Sequence, residues 1–409
     1  MFDVLLSDEE REIQQRARAF ARDEIDPAFL RDLDQETLDF PHGYHEKVAK
    51  AGLYGIRFPT AHGGLGLGWT AEVAALEEIG TLGAVLGCQT AMPSIVGEAL
   101  VHFGTADQKA RFLEPMLRGE LISAEALTEP RGGSDFFGAT TIARRDGDEW
   151  VISGAKRFIV GAEGADFFLV YAKTAPENPP HQSLSVFLVE RDRGVKVEHV
   201  FGLMGARGGG TGRITFHKVR VPHENVIGPL NGGREVFDRM MIPERMTSAA
   251  FTLGAARGAI DVAADYSMKR KAFGQPIRNF QAVSHKVADS ITKLDAARGL
   301  VWAAAKTVDA GLPHRRIVSE AKKFCTEAAW EVVNDAMQIM GGIGYTDVYP
   351  IERILRDTRL AMIWTGTSEI MANLIQHEYY KELAGSLKHR RDVEADAGLA
   401  DAVAEKVYE

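Results

Sequence analysis

The sequence predicts an α+β protein in which a helical segment, a β-rich segment and a second helical segment follow one another. Three observations carry this. Apolar residues recur at helical spacing over roughly the first 120 residues and again beyond Gly232. Between them lie short runs of β-branched and aromatic residues, each bounded by turn residues. Strands and helices do not alternate as they do around a parallel sheet. The chain of 409 residues suits two to three domains, drawn here at 1–121, 122–235 and 236–385, with a charged tail at 386–409.

Ser7 and Glu10 form an S-x-x-E capping box, which opens a helix that should end before Pro27. A second helix is expected from near Thr70 through Ile79, and a third around Asp107 to Leu117. The expected strands contain Trp150 to Ile152, Phe167 to Tyr171, Val186 to Val189 and Ile214 to Val221. Asp146-Gly147 suits a type I′ hairpin turn, which needs positive φ. Val283, Val287, Ile291, Leu294 and Val301 fall on one helix face, and Ile317, Ala321, Phe324, Ala328, Val332 and Ile339 on another; both read as bundle core.

Composition narrows the function. Forty-eight basic against 57 acidic residues give a net charge of −9, which argues against a nucleic-acid partner. Two cysteines, Cys88 and Cys325, exclude a disulfide framework or a cysteine metal cluster. No apolar run is expected to reach the ~18 residues of a membrane span, and the acidic start lacks a signal-peptide n-region. A cytoplasmic protein, or a mature matrix protein if the source is eukaryotic, is the expectation.

Some motifs carry nothing. Gly66 to Ala71 spells G-x-G-x-x-A, but without a strand before it or an acidic residue ~20 positions on, so a turn before a helix is expected. His42 and His45 have no recognisable third ligand and read as a surface pair, and no metal site is expected.

Four segments remain: Leu127-Thr128-Glu129-Pro130-Arg131-Gly132-Gly133-Ser134-Asp135; Arg270-Lys271-Ala272-Phe273-Gly274 with Gln281; Gln338-Ile339-Met340-Gly341-Gly342-Ile343-Gly344; and Trp364-Thr365-Gly366-Thr367-Ser368-Glu369. Taken singly, each is also a plain turn or helix cap. In this order and spacing, the sequence resembles the acyl-CoA dehydrogenase family from about Ser7 to Leu383. The resemblance implies an N-terminal helical domain, a middle β-barrel and a C-terminal four-helix bundle. It also implies one FAD per subunit at an interface of a homotetramer, and electron-transfer flavoprotein as acceptor. By the same resemblance Leu127, Thr128, Gly133 and Ser134 lie along the flavin, with Ser134 able to reach the CoA portion. Phe158 takes the flavin-stacking position, and Val160 lacks the hydroxyl usual at its place. Arg270, Phe273 and Gln281 reach the FAD of a neighbouring subunit; Gln338, Gly341 and Gly342 its pyrophosphate and adenosine; Thr367 and Glu369 form another cofactor contact. Arg245, Thr365 and Gly366 belong to the substrate side.

Many members carry the catalytic glutamate where this chain has Thr365, whose hydroxyl is too weak a base. The isovaleryl-type branch places it early in the first C-terminal helix, before an arginine. Here Pro243-Glu244-Arg245 occupies that place, with Pro243 expected near N1. Glu244 is therefore the expected base. It would take an α-proton while a β-hydride passes to flavin N5, giving a 2-enoyl-CoA from an acyl group that could be branched, cyclic or otherwise bulky. The rival readings are a same-fold oxidase or monooxygenase acting on a non-CoA or carrier-protein-bound substrate, and a catalytically idle assembly protein.

Overall fold

The computed structural model describes residues 2–38 and 40–386. The 387–409 part of the expected tail lies outside the described residues. Helices form the first segment, a β-rich domain the second, and long helices the third.

Ser7 caps the Asp8–Asp23 helix with both halves of the capping box in place, and Pro27 opens the next helix. The Trp69–Gly80 helix begins as the turn at Gly66 and Gly68 predicts. Its N-terminus is capped from a distant element: the Asp309 carboxylate accepts from Trp69 N at 2.7 Å and from Thr70 N at 3.2 Å. The Ala84–Phe103 helix, absent from the sequence expectation, is long and apolar enough to cross a membrane by length and composition, but 94% of that apolar stretch is buried inside the protein. It is a core helix, apolar all round because other elements cover it. His45 is not on the surface: it is 3% exposed, stacks on Phe40 at 5.6 Å and bonds Tyr54 Oη through Nδ1 at 2.7 Å. Burial lowers its pKa to about 4, which keeps the ring neutral.

All four expected strand runs fall in strands. β1 (Ser123–Ala126) pairs in parallel with β4 (Phe167–Lys173); β2 (Ile142–Asp146), β3 (Glu149–Ile159), β5 (Leu184–Glu190), β6 (Lys196–Val200), β7 (Gly212–Pro222) and β8 (Val226–Ile227) complete an eight-stranded sheet ordered β6-β7-β3-β2-β4-β5-β8. The β2–β3 turn differs from expectation. Asp146 pairs with Glu149, so the loop is Gly147-Asp148, with positive φ at Gly147 alone; that is the II′ pattern rather than I′.

The long C-terminal helices are Gly233–Lys269, Gln281–Asp309, Arg315–Met340 and Ser368–Ser386, with Ile351–Ala361 between the last two. Pro243 is not near N1. It lies inside the first of these helices, which starts ten residues earlier, so Glu244 belongs to a helix interior and not to a first turn. The two apolar stripes are core except at Ile291 and Phe324, which are 41% and 42% exposed. These side chains sit at the edge of each stripe and find no cover among the described residues.

Candidate active site at the domain junction

Alternation along β1 decides what faces the helices. Ala124 and Ala126 are sealed in the interior of the β-domain, while Leu127 packs on the core shared with the helices. Glu125 points the same way as Leu127. Its Oε1 is buried without a hydrogen-bond partner, and burial, with the nearby Glu244 charge, raises its carboxyl well above the ordinary range.

Glu244 is buried on the Gly233–Lys269 helix. Burial raises its carboxyl above the ordinary range, opposed by Glu125, Arg245 and Lys322. Arg245, beside it, is buried too, and burial together with Arg315 lowers its guanidinium to about 10. Its Nε has no partner, and its Nη1 donates to Ser319 Oγ at 3.3 Å. Arg245, Arg315 and His314 line a cleft of about 190 Å³ with Phe237, Asp238, Met241, Ile242 and Val318. Its cationic lining suits an anionic ligand.

Lys322 holds the last motif and lies within electrostatic reach of Glu244. Its ammonium, lowered to about 8 by burial and by Arg245, donates to Gly366 O at 2.5 Å and feels the Glu244 charge. Trp364 Nε1 donates to Ser248 Oγ at 2.8 Å, one helical turn beyond Glu244, and its ring meets Phe251 edge-on at 5.7 Å. Between these anchors Thr365 and Gly366 take φ of 51° and 94°. Among the described residues, neither of their N–H groups donates a backbone hydrogen bond. The Thr365 and Ser368 hydroxyl oxygens are buried without partners. Two free N–H groups on a left-handed turn form an anion-binding concavity. Thr367 instead caps the last helix, accepting from Ile370 N at 3.2 Å, and lowers the exposed Glu369 carboxyl by a side-chain bond.

The 128–140 loop is held by a buried pair. Lys156 Nζ donates to Glu129 Oε1 at 2.9 Å and to Leu127 O at 3.1 Å, while Glu129 accepts from Thr140 N and, at 2.9 Å, from Thr141 N. Glu129 is thus structural. The loop leaves Gly133 and Ser134 exposed, and a Cβ at Gly132 would meet nothing within 4 Å. Thr128 O accepts from Arg157 N at 2.8 Å, and Val160 packs partly buried on the core. Phe158 sits at a register shift in β3 with φ of 60° and is 50% exposed, its ring 5.0 Å from Phe201. A bulky side chain in that backbone region is strained, and strain of this kind gathers at ligand sites.

The remaining residues are elsewhere. Arg270, Phe273 and Gln281 lie at and just beyond a two-stranded hairpin, and Phe273 is 95% exposed. Gln338, Gly341 and Gly342 are exposed at the end of the Arg315–Met340 helix. Among the described residues, no hydrogen bond, ion pair or ring contact links this outer set to the inner one. Sequence reasoning placed Glu125 only at the start of the segment that the resemblance lays along the flavin, and gave Lys322 no role. A glutamate in a short strand and a lysine in a helix stripe read as solvent-facing until another domain covers them.

The residues suit a flavin: an outward aromatic ring on a strained bulge, open glycine backbone at 132–133 and 341–342, and exposed Arg270 and Gln281. A helical–β–helical protein with such a rim and a buried carboxylate beside a free N–H turn is built as a flavin oxidoreductase. The chain belongs to the acyl-CoA dehydrogenase family: residues 7–120, 124–219 and 231–380 match the family's N-terminal, middle and C-terminal domains. It therefore belongs with the flavin oxidoreductases acting on CH–CH bonds.

Two curated relatives are similar over nearly their whole length. The 3-(aryl)acrylate reductase of Clostridium sporogenes is 38% identical, covering 90% of this chain and 98% of that protein. Caffeyl-CoA reductase-Etf complex subunit CarC of Acetobacterium woodii is 35% identical, covering 91% and 98%. Among solved structures, butyryl-CoA dehydrogenase of Megasphaera elsdenii superposes with a TM-score of 0.88 at 29% identity, covering 92% and 99% of the two chains. The FAD complex of PigA superposes at 0.86 with 26% identity, covering 92% and 98%.

Proposed function

We propose that the protein is an FAD-dependent acyl-CoA dehydrogenase whose α-proton base is Glu244. The observation that carries this is a buried carboxylate, Glu244, one helical turn before Ser248, whose hydroxyl holds Trp364 at the start of the Thr365–Gly366 turn. Thr365 cannot serve as the base.

The N–H groups of Thr365 and Gly366 receive the thioester oxygen as negative charge develops on it. Glu244 accepts the α-proton at a carboxylate oxygen. Burial raises its carboxyl toward the range of a working base, with Glu125, Arg245 and Lys322 opposing the shift. Arg245 and Arg315 offer the cleft a charge complement to the phosphates of CoA. FAD, when bound, supplies the two-electron acceptor. Phe158 would cover one side of it, with the Thr128–Ser134 backbone, Leu127 and Val160 alongside and Thr367 and Glu369 at another contact; Arg270, Phe273, Gln281, Gln338, Gly341 and Gly342 would complete it from a second copy in a homotetramer. Solvent-facing Phe273, Ile291 and Phe324 support that assembly. The electron acceptor in this reading is electron-transfer flavoprotein, consistent with the name of the Acetobacterium relative, and the setting is the cytoplasm or a mitochondrial matrix.

Threonine in place of glutamate at 365 frees volume, so the acyl group is read as bulky: branched, cyclic or aryl, as the names of the two curated relatives suggest. The test is anaerobic loss of the flavin absorption of purified holoenzyme against straight, branched, cyclic and aryl acyl-CoAs. One bulky class should react fastest. Equal silence with every thioester would overturn the reading and favour a non-CoA substrate.

A further inference from the structure

The turn at Thr365 and Gly366 has a backbone that does not hold itself. Thr365 keeps φ of 51°, a region that β-branched residues avoid and that persists only where neighbours impose it. Three contacts do so here. Before the turn, Trp364 Nε1 is anchored on Ser248 Oγ. After it, Ser368 N donates to Met362 O at 3.1 Å, where the last helix begins. On the turn itself the grip is Lys322 Nζ, which donates to Gly366 O at 2.5 Å.

That last bond fixes a whole peptide plane, because Gly366 O and Thr367 N belong to one rigid unit. Trp364 is held on the other side. The two peptide planes between these anchors carry the Thr365 and Gly366 N–H groups, so both groups have little freedom to turn away.

Lys322 is fully buried on the Arg315–Met340 helix. Glu244, Glu327 and Glu369 act on its ammonium through charge, and among the described residues none of them forms an ion pair with it. Its bond to Gly366 O is therefore what offsets the cost of its burial. The same helix also reaches the base's neighbour. Ser319, three residues before Lys322 and on the same face, accepts from Arg245 Nη1 at 3.3 Å, and Arg245 follows Glu244 in the chain. One helix face thus ties the residue next to the base and the N–H turn into a fixed relation.

We propose that Lys322 is a positioning residue: by holding Gly366 O it aims the Thr365 and Gly366 N–H groups at the thioester oxygen, in register with Glu244. This rests on the reading of that turn as the seat of the thioester oxygen. Lys322 acts through the turn and touches no reacting atom.

The test is infrared spectroscopy of holoenzyme with a bound 2-enoyl-CoA, the product of whichever acyl-CoA reduces the flavin fastest, isotope-labelled at its thioester carbonyl. Wild type, Lys322→Met and Lys322→Gln are compared, beside their rates of anaerobic flavin reduction. Donors that polarise the carbonyl lower its stretching frequency. The wild-type band should lie below that of the free thioester in water. Lys322→Met keeps the length of the side chain without the donor. Its band should return most of the way to the free position, and its reduction rate should fall by about 10–100-fold with little change in thioester affinity. Lys322→Gln keeps an N–H donor on a side chain one bond shorter, and its band should lie between the two. An unmoved band in Lys322→Met would overturn the proposal even if the rate fell, since Lys322 would then act by its charge or on folding alone. If Lys322→Met loses its flavin, Lys322→Gln decides: a part-way return supports the proposal and a band at the wild-type position overturns it. A wild-type band no lower than that of the free thioester would instead sink the reading of the turn, whatever the variants do.

Discussion

The junction around Glu244 and the rim around Phe273 make opposite use of the same fold. At the junction, Glu129, Lys156, Glu244, Arg245 and Lys322 are charged or titratable groups drawn out of water, Lys156 and Glu129 as an ion pair. At the rim, Arg270, Phe273, Gln281, Gln338, Gly341 and Gly342 face solvent. Burial makes a charge chemically specific, because each group's protonation then depends on its neighbours. Exposure leaves the rim residues without a fixed role until something covers them. In the function proposed here, the junction serves as the proton site and the rim as half of a cofactor site completed by a second copy.

That comparison can be broken at both ends. The largest stability effect belongs to the junction. Lys156→Met strands the Glu129 carboxylate and should destabilise the fold by about 3–5 kcal/mol, read by urea unfolding. A loss under 1 kcal/mol would mean that the pair is solvated.

Next is acid. Burial works to raise Glu98, yet Arg57, His102 and Arg239 hold it at about 2; Lys156 and the Thr140–Thr141 bonds do the same for Glu129 against its burial. A free glutamate titrates near ~4.3, so the folded chain binds fewer protons between there and about 2. Their stabilisation is complete above the higher value and lost as pH falls through the lower one. Urea midpoints should drop steadily over that window, and by less in a Glu98→Gln variant.

A smaller effect is expected at the anchor of the turn. Trp364→Phe loses the bond to Ser248 and should cost about 1 kcal/mol, with a larger fall in flavin reduction than in stability. At the rim, Phe273→Ala should move stability of the single chain by under about 0.5 kcal/mol. It should nonetheless weaken flavin retention and subunit association, measured by filtration and sedimentation. If retention is unaffected, the rim does not hold the cofactor.

The order of helices and strands was legible because apolar spacing is set locally. Each expected strand run lies in a strand, and Ser7 and Glu10 do close the first helix. What escaped was set by tertiary cover. The Ala84–Phe103 helix has no polar face to give a period, and it contains Pro93. His45 was read as exposed for want of any sign that Phe40 and Tyr54 would enclose it. Pro243 read as a helix start because proline favours N1, although the helix runs through it. Ile291 and Phe324 obey the helix period and still face outward. At the site, the case for Glu244 as base starts from the vacancy at Thr365 and the Pro243-Glu244-Arg245 motif, and the structure adds that Glu244 is buried.

The account stands on Glu244 as the proton acceptor. The most direct measurement is anaerobic flavin reduction by the best acyl-CoA in wild type and Glu244→Gln, at matched FAD content. The account predicts a rate lower by about 10²–10⁴-fold in the variant at every pH, with thioester binding retained. A variant that reduces its flavin at the wild-type rate would contradict it.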